Sequence, residues 1–289
     1  MNMDSMAFRV NAGAPLSLRK LDPGFTGPFK AKDDAQEKLA RDIERLGELQ
    51  SKLYAQNTWA VLVILQAMDA AGKDGVVKHV MSGVNPQGVS VVSFKAPTEA
   101  ELNHDFLWRH LCVLPRRGEI GIFNRSYYEE VLIVRVHKEI FDRERLPQEC
   151  KGKSLWDHRY EDINATERYL ARNGIAILKF FLHVSKKEQK RRFLERIDQK
   201  EKNWKFSPAD LKERLRWTEY MRAYEEMLHR TSTEWAPWHI IPADHKWFTR
   251  TAVADIIVKR MQKLNLSYPS SSREHLKELD LARQQLESE

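Results

Sequence analysis

The sequence predicts a single α/β domain built around a five-stranded parallel sheet. Short apolar runs alternate with helical patterns, each run is nearly uniform in its apolar character, and no long linker divides the 289 residues. Uniformly apolar strands are typical of parallel sheets, because helices cover both faces of such sheets. A chain of this length can also bury a full core.

The predicted elements follow one another from residue 33 onwards. Apolar residues at helical spacing predict a packing helix over residues 33–54. The predicted strands are 59–65, 89–94, 119–123, 175–183 and 238–241, and further helices are predicted at 98–114, 156–172 and 252–264. We expect three parts: an N-terminal arm (1–30), the α/β domain (31–266) and a C-terminal helical tail (267–289).

The residues after the first predicted strand have the pattern of a phosphate-binding loop. Small residues lead into Lys73, and an apolar helical face resumes after Gly75. Backbone N–H groups and the positive end of the helix would converge at this point, where Lys73 adds a full charge. The match to the pattern G-x-x-x-x-G-K-[ST] is imperfect, since Ala67 replaces the first glycine and Asp74 replaces the hydroxyl residue.

An ordinary strand-to-helix turn with a solvated Lys73 is therefore the alternative interpretation of this loop. Asp69 favours phosphate binding together with a metal. A carboxylate would repel a lone phosphate, but it suits a hydrated Mg²⁺ that bridges phosphates.

The third predicted strand ends in a second group of polar residues. Asn124 and Arg125 follow its apolar run, and ligands collect at the carboxyl ends of parallel strands. An amide can orient phosphate but cannot neutralise Mg²⁺, whereas Arg125 can hold phosphate with its planar fork. Ser126 and Glu129 form a capping-box pattern, so Glu129 has helix capping as an alternative role. Otherwise Tyr128 and Glu129 lie where a nucleotide base or ribose would bind.

Residues 186–217 form a basic segment with twelve Lys and Arg against six Asp and Glu. A pair of solvated amphipathic helices is the usual explanation of such a charge run. Here the helical pattern breaks at residues 203–206 and restarts with Ser207 as cap and Pro208 at the first helical position. A helix, a hinge and a second basic helix are typical of a lid that closes over phosphates.

Composition limits the classes of partner. The net charge of +7 and the pI near 9.3 indicate attraction to a polyanion. No helix-turn-helix, zinc-finger or RNA-binding motif is present, so nucleic acid is not the expected polyanion. The longest apolar run is too short to span a membrane, and the amino terminus lacks a signal peptide's apolar segment, so we expect a cytoplasmic protein. Cys112 and Cys150 lack metal-type spacing and are expected to be isolated thiols.

Four ordered motifs together resemble the polyphosphate kinase 2 family, over residues 33–266. They are Met68-Asp69-Ala70-Ala71-Gly72-Lys73-Asp74-Gly75, Gly121-Ile122-Phe123-Asn124-Arg125-Ser126-Tyr127-Tyr128-Glu129, Asn203-Trp204-Lys205-Phe206-Ser207 and Ile241-Pro242-Ala243-Asp244-His245-Lys246. The resemblance implies a three-layer P-loop kinase fold similar to thymidylate kinase, with a helical lid. Much of the family has Asp where this chain has Asn124. Asn124 with Glu129 resembles the subgroup, class III, that phosphorylates both nucleoside monophosphates and diphosphates.

The resemblance also implies the activity and its partners. The expected reaction moves the terminal phosphoryl group of inorganic polyphosphate to AMP and ADP, with Mg²⁺ as cofactor and Mn²⁺ as an alternative. Adenine or guanine nucleotides are the expected acceptors, and a homo-oligomer is left open. The rival interpretations are an ATP-dependent nucleoside monophosphate kinase and a P-loop protein that binds nucleic acid without turnover.

Each candidate residue has an expected role under this hypothesis. The catalytic candidates are Asp69, Lys73 and Arg125, and Asp69 is also the metal ligand. The nucleotide-binding candidates are Asn124, Tyr128 and Glu129. The polyphosphate-binding candidates are Ala71, Gly72, Lys73, Asp74, Gly75, Arg117, Arg192, Arg196 and Lys205. The attacking phosphate oxygen is already anionic, so no strong general base is expected.

Overall fold

The computed structural model describes residues 3–289, and its centre is one five-stranded sheet. The strand order is β2-β3-β1-β4-β5, and every pairing is parallel. The strands are Ala60–Gln66 (β1), Val89–Ser93 (β2), Ile120–Asn124 (β3), Ile175–His183 (β4) and Trp238–Pro242 (β5). The predicted parallel sheet and its five strands are confirmed.

Eleven α-helices are present among the described residues. They are Lys32–Gln56 (α1), Lys73–Val80 (α2), Trp108–Leu111 (α3), Ile133–Val136 (α4), Lys138–Phe141 (α5), Leu155–Arg172 (α6), Lys186–Asp198 (α7), Pro208–Leu215 (α8), Trp217–Thr231 (α9), Lys246–Gln262 (α10) and Arg273–Glu287 (α11). Helix α9 was not predicted from the sequence, and α10 begins six residues earlier than expected.

The helices form two groups around the sheet, which gives the predicted three-layer fold. Helix α10 packs against α1 and α2, while α6 and α9 pack against each other and α9 contacts α4. Every residue of the central strand β1 is buried, as its uniformly apolar sequence predicts. In α1, Leu46, Leu49 and Leu53 recur at helical spacing and are all buried in the core.

The prediction of one continuous helix over residues 98–114 is wrong, because only two short helical segments form there. Thr98 and Glu101 do exchange the two hydrogen bonds of a capping box, at 3.3 and 2.7 Å. However, only the 3₁₀ turn Glu101–Asn103 and the short helix α3 follow. The side chain of Asp105 accepts the Leu107 N–H at 2.9 Å, so it caps a new turn and interrupts the helix.

The two terminal regions are arranged differently. The N-terminal segment packs on β5 and α10: the Val10 N–H donates to the Trp238 carbonyl at 2.9 Å, and Phe8 packs edge-on against Phe248. At the other end, α11 is exposed along its whole length. No helix within residues 3–289 has both the length and the apolar character needed to cross a membrane.

The basic segment 186–217 has the predicted helix, break and second helix. Helix α7 is followed by the 3₁₀ turn Lys200–Lys205, and α8 then begins. Ser207 and Asp210 form a reciprocal capping box, with Pro208 at the first helical position. The sequence pattern therefore located this interruption correctly.

Candidate active site

A cleft of about 930 Å³ lies at the carboxyl ends of β1 and β3. Its walls come from the loop 69–76, from the end of β3, from the basic segment 186–217 and from the start of α10. This is the edge of an open parallel sheet where ligands bind. Most predicted site residues lie in its walls: Asp69, Ala71, Gly72, Lys73, Asp74, Gly75, Asn124, Arg125, Arg192, Arg196 and Lys205.

The loop after β1 is shaped for a bound anion. Gly72 caps α2 with φ of +112°, a conformation that L-residues with side chains rarely adopt. Lys73 begins the helix, and its Nζ donates to the Ala67 carbonyl at 3.0 Å. Burial, and then the neighbouring Arg125, lower the pKa of Lys73 to about 8. The ammonium is therefore costly in the free protein, and an anion in the cleft would relieve that cost.

Asp69 and Arg125 form an ion pair across the cleft. Their Oδ1 and Nη2 atoms are 2.7 Å apart. Arg125 has φ of +66° and Ala70 has φ of +61°, so both residues adopt the left-handed conformation without being glycine. Backbone strain of this kind clusters at functional sites, where the surrounding structure maintains it. The two residues predicted to handle metal and phosphate thus contact each other directly.

Asn124 holds the second carboxylate of the loop. Its side-chain amide donates to Asp74 Oδ1 at 2.8 Å. This contact joins the end of β3 to the first turn of α2. Asp74 occupies the position of the hydroxyl residue in the usual pattern, and the amide of Asn124 fixes its orientation toward the cleft.

Glu129 lies behind Arg125 and is coupled to it electrostatically. The carboxylate of Glu129 is the largest cause that raises the pKa of Arg125, and burial raises the pKa of Glu129 itself. The Gln66 amide, oriented to satisfy both of its ends, donates to Glu129 at 3.0 Å and accepts the Ser126 N–H at 3.2 Å. The alternative capping role is therefore wrong, because Gln66 takes the place that the Glu129 side chain would have in a capping box.

A second cavity of about 690 Å³ adjoins the cleft and shares Arg125, Phe94, Lys95 and Ala96 with it. Its wall combines apolar side chains with charged ones, and Glu129 lies in it. Arg109 also lines this cavity, where it donates to the Lys95 carbonyl at 2.9 Å. The mixture of apolar area and a few polar groups is typical of a small-molecule site.

The basic segment contributes charge to the opposite wall of the cleft. The Arg196 guanidinium donates to the Lys205 carbonyl at 3.2 Å and lies 3.8 Å from Asp210. The Lys205 ammonium lies 4.9 Å from the centre of the Trp204 ring, in a cation–π contact. Burial and then Asp69 raise the pKa of Asp210, which places a further carboxylate near the ion pair.

Arg192 does not have the predicted role of a lid residue that closes over substrate. Its side chain is only 4% exposed. The guanidinium donates to the carbonyls of Ala70 and Ala71 at 2.9 and 2.8 Å, and to those of Ala243 and Asp244 at 2.6 and 3.1 Å. Arg192 therefore ties the phosphate-binding loop to the end of β5, and protein groups already occupy its donors.

Tyr128 was predicted to bind the nucleotide, and this prediction is wrong. The side chain is fully buried beneath the site. Its hydroxyl donates to Glu167 at 2.7 Å and accepts from Lys179 at 2.7 Å. The 3₁₀ turn Tyr127–Val131 directs this ring into the core instead of into either cavity.

Arg117 was predicted to contact polyphosphate, and this prediction is also wrong. The guanidinium donates to the Thr58 carbonyl at 2.6 Å and to the Asn173 carbonyl at 3.1 Å. Both carbonyls precede strands, so Arg117 lies at the amino ends of the strands, opposite the cleft. Its role is to join the starts of β1 and β4.

Four cations of the cleft were missed from the sequence: Lys95, Lys202, Lys246 and Arg250. Lys246 and Arg250 come from the first turns of α10 and line the cleft together with Thr249. Burial lowers the pKa of both cations. The sequence did contain a signal for Lys246 and Arg250. A helix that begins just after a strand of a parallel sheet has its first turn at the carboxyl edge of the sheet, where the cleft lies.

Comparison with known proteins gives one consistent family. The family model described as Polyphosphate kinase 2 (PPK2) matches residues 30–269. A Rhodopseudomonas palustris protein named ADP-polyphosphate phosphotransferase is 52% identical over 287 residues, which cover 99% of each chain. A Meiothermus ruber protein named AMP/ADP-polyphosphate phosphotransferase is 47% identical, over 91% of this chain and 94% of its own.

A solved structure agrees with these relatives. The crystal structure of polyphosphate kinase 2 from Arthrobacter aurescens TC1 matches with a TM-score of 0.88 and 41% identity, covering 96% of this chain and 95% of that chain. The chain therefore belongs to the polyphosphate kinase 2 family.

Proposed function

We propose that this chain transfers the terminal phosphoryl group of inorganic polyphosphate to AMP and ADP, forming ADP and ATP. The observation that carries the proposal is the meeting of two cavities at Arg125. One is a polar cleft over a phosphate-binding loop, and the other is a partly apolar pocket. A donor made only of phosphates suits the first, and a nucleotide with a base and a ribose suits the second.

Charge distribution supports placing polyphosphate in the cleft. Each phosphate unit carries about one negative charge, so several cations must lie along the chain. Besides Arg192, whose donors are occupied by protein carbonyls, the cations that line the cleft are Lys73, Lys95, Arg125, Arg196, Lys202, Lys205, Lys246 and Arg250. By analogy with counterion release from nucleic acids, the affinity for polyphosphate should fall as salt concentration rises.

The second cavity suits the acceptor nucleotide. Phe94 and Phe106 supply aromatic surface for an adenine or guanine base, while Arg109 and Arg125 lie in the same wall. The acceptor phosphate would then point at Arg125, where the cavities join. Glu129 sits behind Arg125 and interacts favourably with its charge, and the Asn124 amide holds Asp74 on the donor side.

The proposed reaction is an in-line attack by a terminal phosphate oxygen of the acceptor on the end phosphoryl group of polyphosphate. The P–O bond to the next phosphate unit breaks, and the shortened polyphosphate leaves with the bonding electrons. The attacking oxygen is already anionic, so no side chain has to remove a proton. Lys73 and Arg125 neutralise the charge of the transferred group and hold the two anions together.

The cleft has donors that fit a divalent metal. Asp69 and Asp74 lie in the loop, and Asp210 lines the same cleft, where burial and then the nearby Asp69 carboxylate raise its pKa. Within residues 3–289, no cluster of three or more His, Cys, Asp or Glu side chains could hold a metal alone. This fits Mg²⁺, which is held by one or two carboxylates together with substrate phosphates, and Mn²⁺ would suit the same oxygen donors. When bound, the ion would neutralise phosphate charge, and Asp69 would be its principal ligand.

One assay tests the proposal. Purified protein is incubated with ADP or AMP, Mg²⁺ and polyphosphate in the absence of ATP, and the nucleotides are separated and measured. ATP or ADP should form, and the Lys73→Ala protein purified in the same way should form almost none, which excludes a contaminating kinase. No new nucleotide with the wild type would disprove the proposal. Turnover of AMP only when ATP replaces polyphosphate would indicate a nucleoside monophosphate kinase.

A further inference from the structure

A buried polar cluster lies directly beneath the turn that carries Arg125 and Glu129. Its centre is an ion pair between Lys179 of β4 and Glu167 of α6, with Nζ and Oε2 2.6 Å apart and both side chains fully buried. The cost of desolvating such a pair offsets much of its attraction, so it adds little net stability compared with apolar packing. The presence of this buried ion pair is better explained by a role in holding neighbouring side chains in a fixed geometry.

Two consecutive tyrosines are held by this ion pair. The hydroxyls of Tyr127 and Tyr128 both donate to Glu167 Oε1, at 2.9 and 2.7 Å, and Lys179 donates to the Tyr128 hydroxyl at 2.7 Å. Burial raises the pKa of both tyrosines well above the ordinary value, so their hydroxyls stay protonated and keep donating. The turn is thus attached to β4 and α6 at two adjacent positions.

In the sequence, Tyr127 and Tyr128 lie between two residues of the site, Arg125 and Glu129. Arg125 precedes Tyr127 by two positions, and Glu129 follows Tyr128 directly. On the strand side, the Arg125 N–H donates to the Leu65 carbonyl at 3.0 Å. The left-handed backbone of Arg125 persists only where its surroundings fix it from both sides. After Arg125 in the chain, the hydrogen bonds of the two tyrosine hydroxyls to Glu167 hold the backbone in place.

We infer that the Glu167–Lys179 pair, acting through the hydroxyls of Tyr127 and Tyr128, positions Arg125 and Glu129 for phosphoryl transfer. The inference rests on the proposed function, because Arg125 matters here only as a phosphate ligand. These four side chains are positioning residues. They lie beneath the two cavities and not in their walls.

The test removes the two hydroxyls together in the variant Tyr127→Phe/Tyr128→Phe. Both rings remain, so core packing changes little. The ion pair also remains, and Lys179 keeps its hydrogen bond to the Thr231 carbonyl at 2.7 Å, so no buried charge is left unpaired. We expect kcat to fall about tenfold or more, since a misplacement of about 1 Å can cost up to about 100-fold.

The matched control is Tyr160→Phe. Tyr160 is also almost fully buried as a residue, and its hydroxyl accepts a hydrogen bond from Arg135 at 2.9 Å, so the substitution also removes a hydrogen bond, here a part-buried one, from a core tyrosine. This contact does not hold the turn at residues 125–129. We expect kcat of the control to stay within about twofold of the wild type. An equal loss in the control and in the double variant would overturn the inference.

A second measurement separates positioning from general loosening of the core. The two tyrosine substitutions are repeated in an Arg125→Lys background, where the retained charge keeps turnover measurable. If the hydroxyls act through the forked guanidinium, their removal there should cost less than about threefold, because coupled residues are not additive. A loss of the same size in both backgrounds would overturn the inference.

The outcome is distinguishable from failure of the proposed function. A wild type that makes no nucleotide from polyphosphate contradicts the proposed function. An active wild type whose double tyrosine variant has normal kcat contradicts the positioning role alone. If the double variant does not fold, Tyr127→Phe makes the same comparison, because the Tyr128, Glu167 and Lys179 contacts then stay intact.

Discussion

Replacing Arg192 with Met tests whether this residue anchors the phosphate-binding loop or contacts substrate. Its guanidinium makes four hydrogen bonds to backbone carbonyls, at 2.6 to 3.1 Å, and a further one to Glu188 at 2.8 Å. Hydrogen bonds from charged donors contribute about 1.5–3 kcal/mol each but do not add fully. Loss of one partner from a buried charged network costs about 3–5 kcal/mol. We therefore expect Arg192→Met to lower the free energy of unfolding by about 3–5 kcal/mol.

The expected shift in melting temperature follows from this range. In a domain of about 150–250 residues, each 1 kcal/mol corresponds to about 2–4 °C, so Arg192→Met should melt about 6–20 °C below the wild type. Because Ala70 and Ala71 lose their anchor, the loop should shift, and kcat should fall about 100-fold even below the melting temperature. Circular dichroism gives the first quantity, and nucleotide formation from polyphosphate gives the second.

Arg191→Met is the matched control. Arg191 is the adjacent residue and also pairs with Glu188, but its side chain is 60% exposed. Exposed ion pairs contribute about 0–1 kcal/mol, so the control should melt within about 4 °C of the wild type. If Arg192→Met instead kept a normal melting temperature and only raised KM for polyphosphate, Arg192 would contact the substrate and would not anchor the loop.

Three further predictions concern the cleft. Asp69→Ala or Lys73→Ala should leave a cooperatively folded protein with kcat reduced about 100-fold or more, and near-normal turnover in either would refute its assigned role. Since the pKa of Lys73 is lowered to about 8, its charge is present below that pH and lost above it, so kcat/KM for polyphosphate should be flat up to about pH 8 and then fall. An unchanged profile up to pH 10 would argue against Lys73 as the anion ligand. Lys205→Ala should raise KM for long polyphosphate with little change in kcat, and an unchanged KM would count against contact with the chain.

The fold was predictable because four of its five strands, all except β2, are almost entirely buried. Residues 175–183 form a nearly uninterrupted apolar run, and such a run is typical of a strand in a sheet covered on both sides. The break in the basic segment was predictable because Ser207 and Pro208 are local helix-start residues. These features depend on neighbours in sequence, so no tertiary information was needed.

The failed predictions depend on contacts between distant residues. Tyr128 turns into the core because Glu167 and Lys179, 39 and 51 positions away, bind its hydroxyl. The burial of Arg192 depends on carbonyls at residues 70–71 and 243–244, which no helical pattern in α7 can indicate. Arg117 is different, because its position before a parallel strand already placed it at the wrong sheet edge.

The contact between Asp69 and Arg125 has a thermodynamic consequence for how the cleft fills. In the free protein each ion is the other's ligand, so neither is available without breaking a 2.7 Å contact. A cation that takes Asp69 sets Arg125 free for an anion, and an anion that takes Arg125 sets Asp69 free for a cation. Metal and polyphosphate should therefore bind with positive cooperativity, and each should raise the affinity for the other by the same factor.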